Sequence, residues 1–183
     1  MWWQGVSSAV GRMIALFATV LIAFLSGTSF DGTNCCFGKE PKFKESALEK
    51  LLFETINEDR RGEGVPALVL NRNLCKLARD HAEDMLKNDF FGHNSSDGLN
   101  AQQRARKAGI KVPVYENIGW RSGPDKSSEM VLGIQSSFMK EPKEQRNHRY
   151  IILLKQLEFA GVGVAKKKDE VAIVQVFCES SPN

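Results

Sequence analysis

The C-terminal segment of the chain constrains the fold most. Two apolar runs, Phe159–Ala165 (FAGVGVA) and Val171–Cys178 (VAIVQVFC), flank the polar stretch Lys166 to Glu170. Short runs rich in β-branched residues on either side of a charged loop read as a β-hairpin. Gly161 and Gly163 fall inside the first run. Glycine weakens a strand interior unless another backbone or side chain comes close over it, so these two mark a close approach. Most of what precedes the hairpin has helical periodicity. Helices first and hairpin last predict an α+β fold and argue against a repeating βαβ sheet.

The helical segments carry their own start and stop signals. From Ser46 to Arg61, the residues Leu48, Leu51, Leu52, Thr55 and Ile56 recur at spacings of three and four, with Ser46 as cap and Gly62 and Gly64 as terminators. Val65–Leu70 is an apolar connector in which Pro66 forbids helix continuation. A second helix is expected from Arg72 to Asn88, capped by Asn71, with Leu74, Leu77, Ala78, His81, Ala82 and Met85 on one face. His81 therefore reads as a packed histidine rather than a ligand. A short third helix spans Asn100 to Ala108 and ends at Gly109, and a strand is expected over Val112–Ile118. A fourth helix runs from Ser127, as cap, to Lys140, with Met130, Val131, Ile134 and Phe138 as its apolar stripe. Glu129 lies in its first turn, where the helix dipole favours an anion.

The N-terminus is of a different kind. Met13–Leu25 is apolar apart from Thr19, follows the single charge Arg12, and leads into Ser26, Gly27, Thr28 and Ser29. That is the layout of a signal peptide, or of a retained N-terminal anchor if the span extends to Phe30. Residues 1–29 are read as this leader, 30–44 as a Gly-, Pro- and charge-rich linker, and 45–183 as one folded domain. Either leader carries the domain across a membrane, so the protein is expected to be secreted, periplasmic or anchored at an outer membrane face. The leader is its only expected membrane contact. A chain of 183 residues with 42% hydrophobic and 26% charged content can bury a core of ordinary size. Its net charge of +3 is dispersed, which excludes a nucleic-acid surface. Lys166, Lys167 and Lys168 read as a solvated turn.

Four cysteines are present: Cys35, Cys36, Cys75 and Cys178. Export favours disulfides. Cys75 and Cys178 fall in ordered elements and are expected to bridge, the alternative being two separate buried thiols. No cysteine–histidine spacing suggests a zinc finger.

Particular residues add a family resemblance. Ile56-Asn57, Arg60, Gly64 and Pro66-Ala67-Leu68 resemble the opening signature of the CAP superfamily, which includes cysteine-rich secretory proteins, venom antigens, plant pathogenesis-related proteins and bacterial secreted proteins. Leu74, Ala78, Ala82, Asp84-Met85, Phe90-Phe91-Gly92-His93 and Gly98 follow in the family's order, then Arg104, Ala108-Gly109 and Glu116-Asn117-Ile118. Phe138 to Glu141 resembles a family helix end with Phe in place of Trp. Asn147-His148-Arg149 is in the bacterial style. Gly161–Ala165 and Gln175-Val176-Phe177 resemble the closing strands. The resemblance covers roughly residues 48 to 178 and implies a three-layer α-β-α sandwich. The chain ends at Asn183 with no cysteine-rich second domain, so ion-channel modulation through such a domain is not expected.

The resemblance also implies that His93, Glu116, Glu141 and His148 share one cleft. Two imidazoles and two carboxylates can do three things there. His93 and His148 can hold a divalent metal such as zinc, with the carboxylates as further or outer partners. A glutamate can orient a histidine as a base. Or the four can satisfy one another as a structural network. No nucleophile is apparent, since Ser95, Ser96, Ser136 and Ser137 lack a GxSxG setting. The resemblance, whose family includes lipid-binding members, implies a binding module for a metal, a small lipid or an envelope ligand; a metal-assisted hydrolase or peptidase; or an envelope interaction protein. Asn94-Ser95-Ser96 reads as a loop turn rather than a glycosylation site, and Trp120 as a cover for the core edge.

Overall fold

The structure is a computed structural model in which residues 46–182 are described. The leader, the linker and the Cys35-Cys36 pair lie outside the described residues. Among those described, no helix is long and apolar enough to cross a membrane.

The elements run in the order α1 (Ala47–Gly62), β1 (Val69–Leu70), α2 (Arg72–Lys87), α3 (Ala101–Lys107), β2 (Tyr115–Ser122), α4 (Ser127–Met139), α5 (His148–Ile152), β3 (Phe159–Lys167) and β4 (Glu170–Cys178). The four strands form one mixed sheet in the order β1-β3-β4-β2. β1 pairs parallel with β3, and the other pairings are antiparallel.

Helices cover both faces of this sheet. On one face α2 packs Leu74, Leu77, Ala78, Ala82 and Met85 against Ala165, Ala172, Val174 and Val176. On the other, Leu52 and Ile56 of α1, Val131, Ile134 and Phe138 of α4 and Ile152 of α5 meet Ala160, Val162, Ile173 and Phe177. The alternation along β3 and β4 thus feeds two cores, which is why both strands read as near-continuous apolar runs. Gly161 and Gly163 mark the close approach of α2. A Cβ at 161 would stand 2.1 Å from the Leu74 carbonyl carbon, and one at 163 would stand 2.2 Å from the Arg79 nitrogen.

Local chemistry fixes the helix ends. Ser46 Oγ accepts the Glu49 N–H at 3.2 Å while Glu49 accepts the Ser46 N–H at 2.9 Å, a closed capping box. Glu49 is also gripped by Arg79 of α2 through two 2.7 Å bonds. Burial works against its charge, but the Arg79 fork and the Ser46 N–H outweigh that and hold its pKa below the ordinary value. Arg60, with no exposed surface, donates to the carbonyls of Pro66, Ile152, Leu154 and Leu157, so the end of α1 staples the connector to the α5–β3 loop.

Several details differ from the sequence reading. β2 starts at Tyr115, because the polar groups of 112–114 are taken by Gln102: it donates to the Val112 carbonyl and accepts the Val114 N–H. The hairpin turn is shorter, leaving Lys168 and Asp169 between strands, with Lys168 at a φ of 55°. Lys167 is not simply solvated, since it donates to Leu86 O and to Asp89. Lys126, not Ser127, is the N-cap of α4.

The expected Cys75–Cys178 bridge is not formed. Both thiols are buried, and no disulfide joins them. The Cys75 backbone sits over Gly161, whose sheet partner is Val176, while Cys178 lies two residues further along β4. Cys178 Sγ instead donates to the Ser180 carbonyl at 3.1 Å.

Candidate ligand cleft

β2 is an edge strand, and the cleft is built around it. Glu116, Ile118 and Trp120 alternate with Asn117, Gly119 and Arg121. The first set faces the α2 side with Val174 and Val176, and the second faces the α4 side with Gln175 and Ile173. Gly119 lets α4 close in, since a Cβ there would lie 2.3 Å from Ile134 Cγ2. A cavity of about 470 Å³ opens here, lined by Phe91, Gly92, His93, Ile118–Arg121, Gly133, Ile134, Ser137, Phe138 and His148.

The four expected site residues form two His–Glu pairs. His93 Nδ1 lies 3.0 Å from Glu116 Oε1. His148 Nδ1 lies 2.6 Å from Glu141 Oε1, and the other oxygen of Glu141 accepts the Arg149 N–H at 3.3 Å. A carboxylate only accepts, so Nδ1 carries the proton in each ring and Nε2 is the atom left for a ligand. His148 stacks on Phe138, with centroids 4.2 Å apart and planes at 12°. His93 and Glu116 differ in exposure, at 57% and 3% of their side chains, so the imidazole projects from an anchored carboxylate. Both histidines line the one cavity. Among the described residues, however, no group of three or more His, Cys, Asp or Glu side chains is placed to hold a metal.

The supports of the His93 pair are other residues. Arg104 of α3 binds the second oxygen of Glu116 and donates to the His93 carbonyl at 2.7 Å and to the Leu99 carbonyl at 2.8 Å. His81 is buried, as expected, and its Nε2 donates to Gly92 O at 3.0 Å. Its burial pulls the imidazole pKa below the ordinary value. Asp84 takes the Ser96 N–H at 2.8 Å and the Ser96 hydroxyl at 2.6 Å, pinning the far end of the same loop.

A chain of buried amides supports the His148 pair. Asn117 donates to the His148 carbonyl and to Gln175, Gln175 donates to Gln135, and Gln135 donates to Asp59. The three amides have 0% or 1% exposure. Their one sequence signal is polarity inside apolar runs, as at Gln175 in VAIVQVFC. Trp120, read as a core cover, is 46% exposed and lines the cleft with the 56% exposed Phe91.

The sequence matches the cysteine-rich secretory protein (CAP) family model over residues 53–178, most of the described chain. The chain belongs to the CAP family. The CAP fold is seen again in solved structures. An outer surface protein of Borrelia burgdorferi aligns with a TM-score of 0.61 at 17% identity, over 76% of this chain and 97% of that one. An extracellular SCP-domain protein of Bacillus anthracis aligns with a TM-score of 0.59 at 19% identity over 73% of this chain. The CAP chain spans only 40% of that protein's length. A structure described as NaASP2 with Zn2+ aligns with a TM-score of 0.54 at 12% identity, over 78% of this chain and 85% of that one. No curated protein matches.

Proposed function

We propose that the protein is an exported CAP-domain binding module whose cleft seats an amphiphilic envelope ligand. One observation carries this reading: a single cavity of about 470 Å³ combines two glutamate-oriented imidazoles with an apolar wall of Ile118, Trp120, Phe91, Ile134 and Phe138. Ligand sites of this kind are mostly apolar, with a few fixed polar groups. Export is supported by the leader-like residues 12–29 and by the extracellular and outer-surface descriptions of the Bacillus and Borrelia relatives. The module reading is tested by titrating full-length protein with a fluorescent fatty acid and with soluble envelope fragments. Trp120→Ala and Phe91→Ala are expected to weaken binding about tenfold each. Saturable binding that neither change alters would remove the cleft from consideration.

The oriented imidazoles favour a second reading, a weakly held divalent ion. Nε2 of His93 and of His148 would be the protein ligands, and Glu116 and Glu141 would fix the tautomers. With two protein ligands the ion would keep open positions and serve as a Lewis acid. The family structure described with Zn2+ supports this reading. Calorimetric zinc titration is expected to show one site, lost in both His93→Ala and His148→Ala. Unchanged zinc uptake in either variant would exclude it.

A further inference from the structure

We propose that the natural occupant of the cleft is an extended polypeptide segment, bound as an added strand on the open edge of β2. This rests on the cleft being a ligand site and names the class of ligand.

The cavity takes Ile118 and Trp120 from one face of β2 and Gly119 and Arg121 from the other. A single cavity meets both faces of a strand only by wrapping around its edge. β2 is last in the order β1-β3-β4-β2, so that edge carries no neighbouring strand. Among the described residues, no hydrogen bond from outside the sheet reaches the backbone of Ile118–Arg121. In an antiparallel strand, alternate residues turn both N–H and C=O outward, about 7 Å apart. A ligand that covers such groups must hydrogen-bond them. An acyl chain has nothing to offer them, whereas a second extended backbone matches both donor and acceptor at that spacing.

The edge also lacks the usual protections. It has no proline and no outward lysine. Arg121, the charge in Ile118–Arg121, turns back to Asp125 at 2.8 Å and lies against Gly133. Side-chain recesses flank it. Phe91 and Trp120 are shared with an adjoining recess of about 250 Å³ that Met85, Leu86 and Phe90 line. Phe138, Ser137 and His148 stand on the other side of the strand. An added strand alternates its side chains between these two walls. The segment therefore carries a bulky apolar residue toward Trp120 and Phe91, and a hydrogen-bonding residue toward His148.

The test uses full-length protein in detergent and a linear dodecapeptide selected on it from a random display library. A copy of that peptide N-methylated on alternate amides is compared, with oleate as the lipid arm. The peptide is expected to slow amide exchange within 118–121 at least tenfold. The methylated copy and Trp120→Ala are each expected to lose about tenfold in affinity. Peptide binding without protection of those amides, or with no loss on methylation, overturns the strand pairing. So does concentration-dependent protection without peptide, which would assign the edge to a second copy of the chain. If no peptide is selected but oleate shifts the His93 and His148 resonances, the cleft remains a ligand site and the polypeptide assignment fails. If neither probe reaches those resonances, both readings fail.

Discussion

Arg60 is fully buried, and its guanidinium forks into four backbone carbonyls, of which Leu154 O also accepts the Leu157 N–H. Arg60→Met would remove that donor from the Pro66, Ile152 and Leu157 carbonyls. We expect urea unfolding to show a loss of about 3 kcal/mol or more, with Arg60→Lys restoring less than half. His81 governs a pH effect. Its folded-state pKa lies below the unfolded value of about 6.5, so below that pH the unfolded chain takes up a proton that the folded chain refuses. Stability should therefore fall as pH drops from about 6.5 toward 5. His81→Gln, which can still donate to Gly92 O, should flatten that slope when melting temperature is followed against pH. Glu49 acts lower on the scale. Its depressed pKa contributes stability above about 4.5 that disappears as the carboxylate protonates. His93, Glu116, Glu141 and His148 were legible through matched motifs. Arg104 appeared there as a motif letter only, since nothing local ties it to Glu116, twelve residues away.

At the scale of elements, helices are readable in the sequence through caps and periodicity, and α1, α2 and α3 fall within a residue of their expected ends. α5 leaves no periodic signature in the sequence because five residues are too few for a period. It depends on Asn147, which caps Tyr150 N–H at 2.9 Å and reaches back to Pro142 O at 2.8 Å. β2 starts later than its apolar pattern implies because a side chain of α3 takes the polar groups of 112–114, a partner that strand propensity does not encode. The contact of α2 with β3 gives a sharp test. Gly161→Ala and Gly163→Ala each place a methyl group against helix backbone and should cost about 3 kcal/mol in chemical unfolding. Gly62→Ala has nothing within 4 Å of the new methyl and should be neutral or slightly stabilising.

For the molecule as a whole, two cores on opposite faces of one sheet supply the stability, with no help from Cys75 and Cys178 as a bridge. With Cys35 and Cys36 changed to serine, the melting temperature should be the same with and without reductant. Thiol reagents should label the remaining two cysteines only on unfolding. Burial raises the Cys178 pKa to about 11, which makes its thiol inert in the folded state. A melting temperature lowered by reductant would show that the pair does bridge. The sequence by itself determined the class of fold, most helices, the closing hairpin and the residue types available for chemistry, because periodicity records which face of an element is buried. Only the tertiary structure decided what each face is buried against. It put β2 at the edge beside β4, left Cys75 and Cys178 unbridged, turned Trp120 into the cleft and joined Asn117 to Gln175. These are pairings between residues far apart in the chain, and a local pattern holds no record of them.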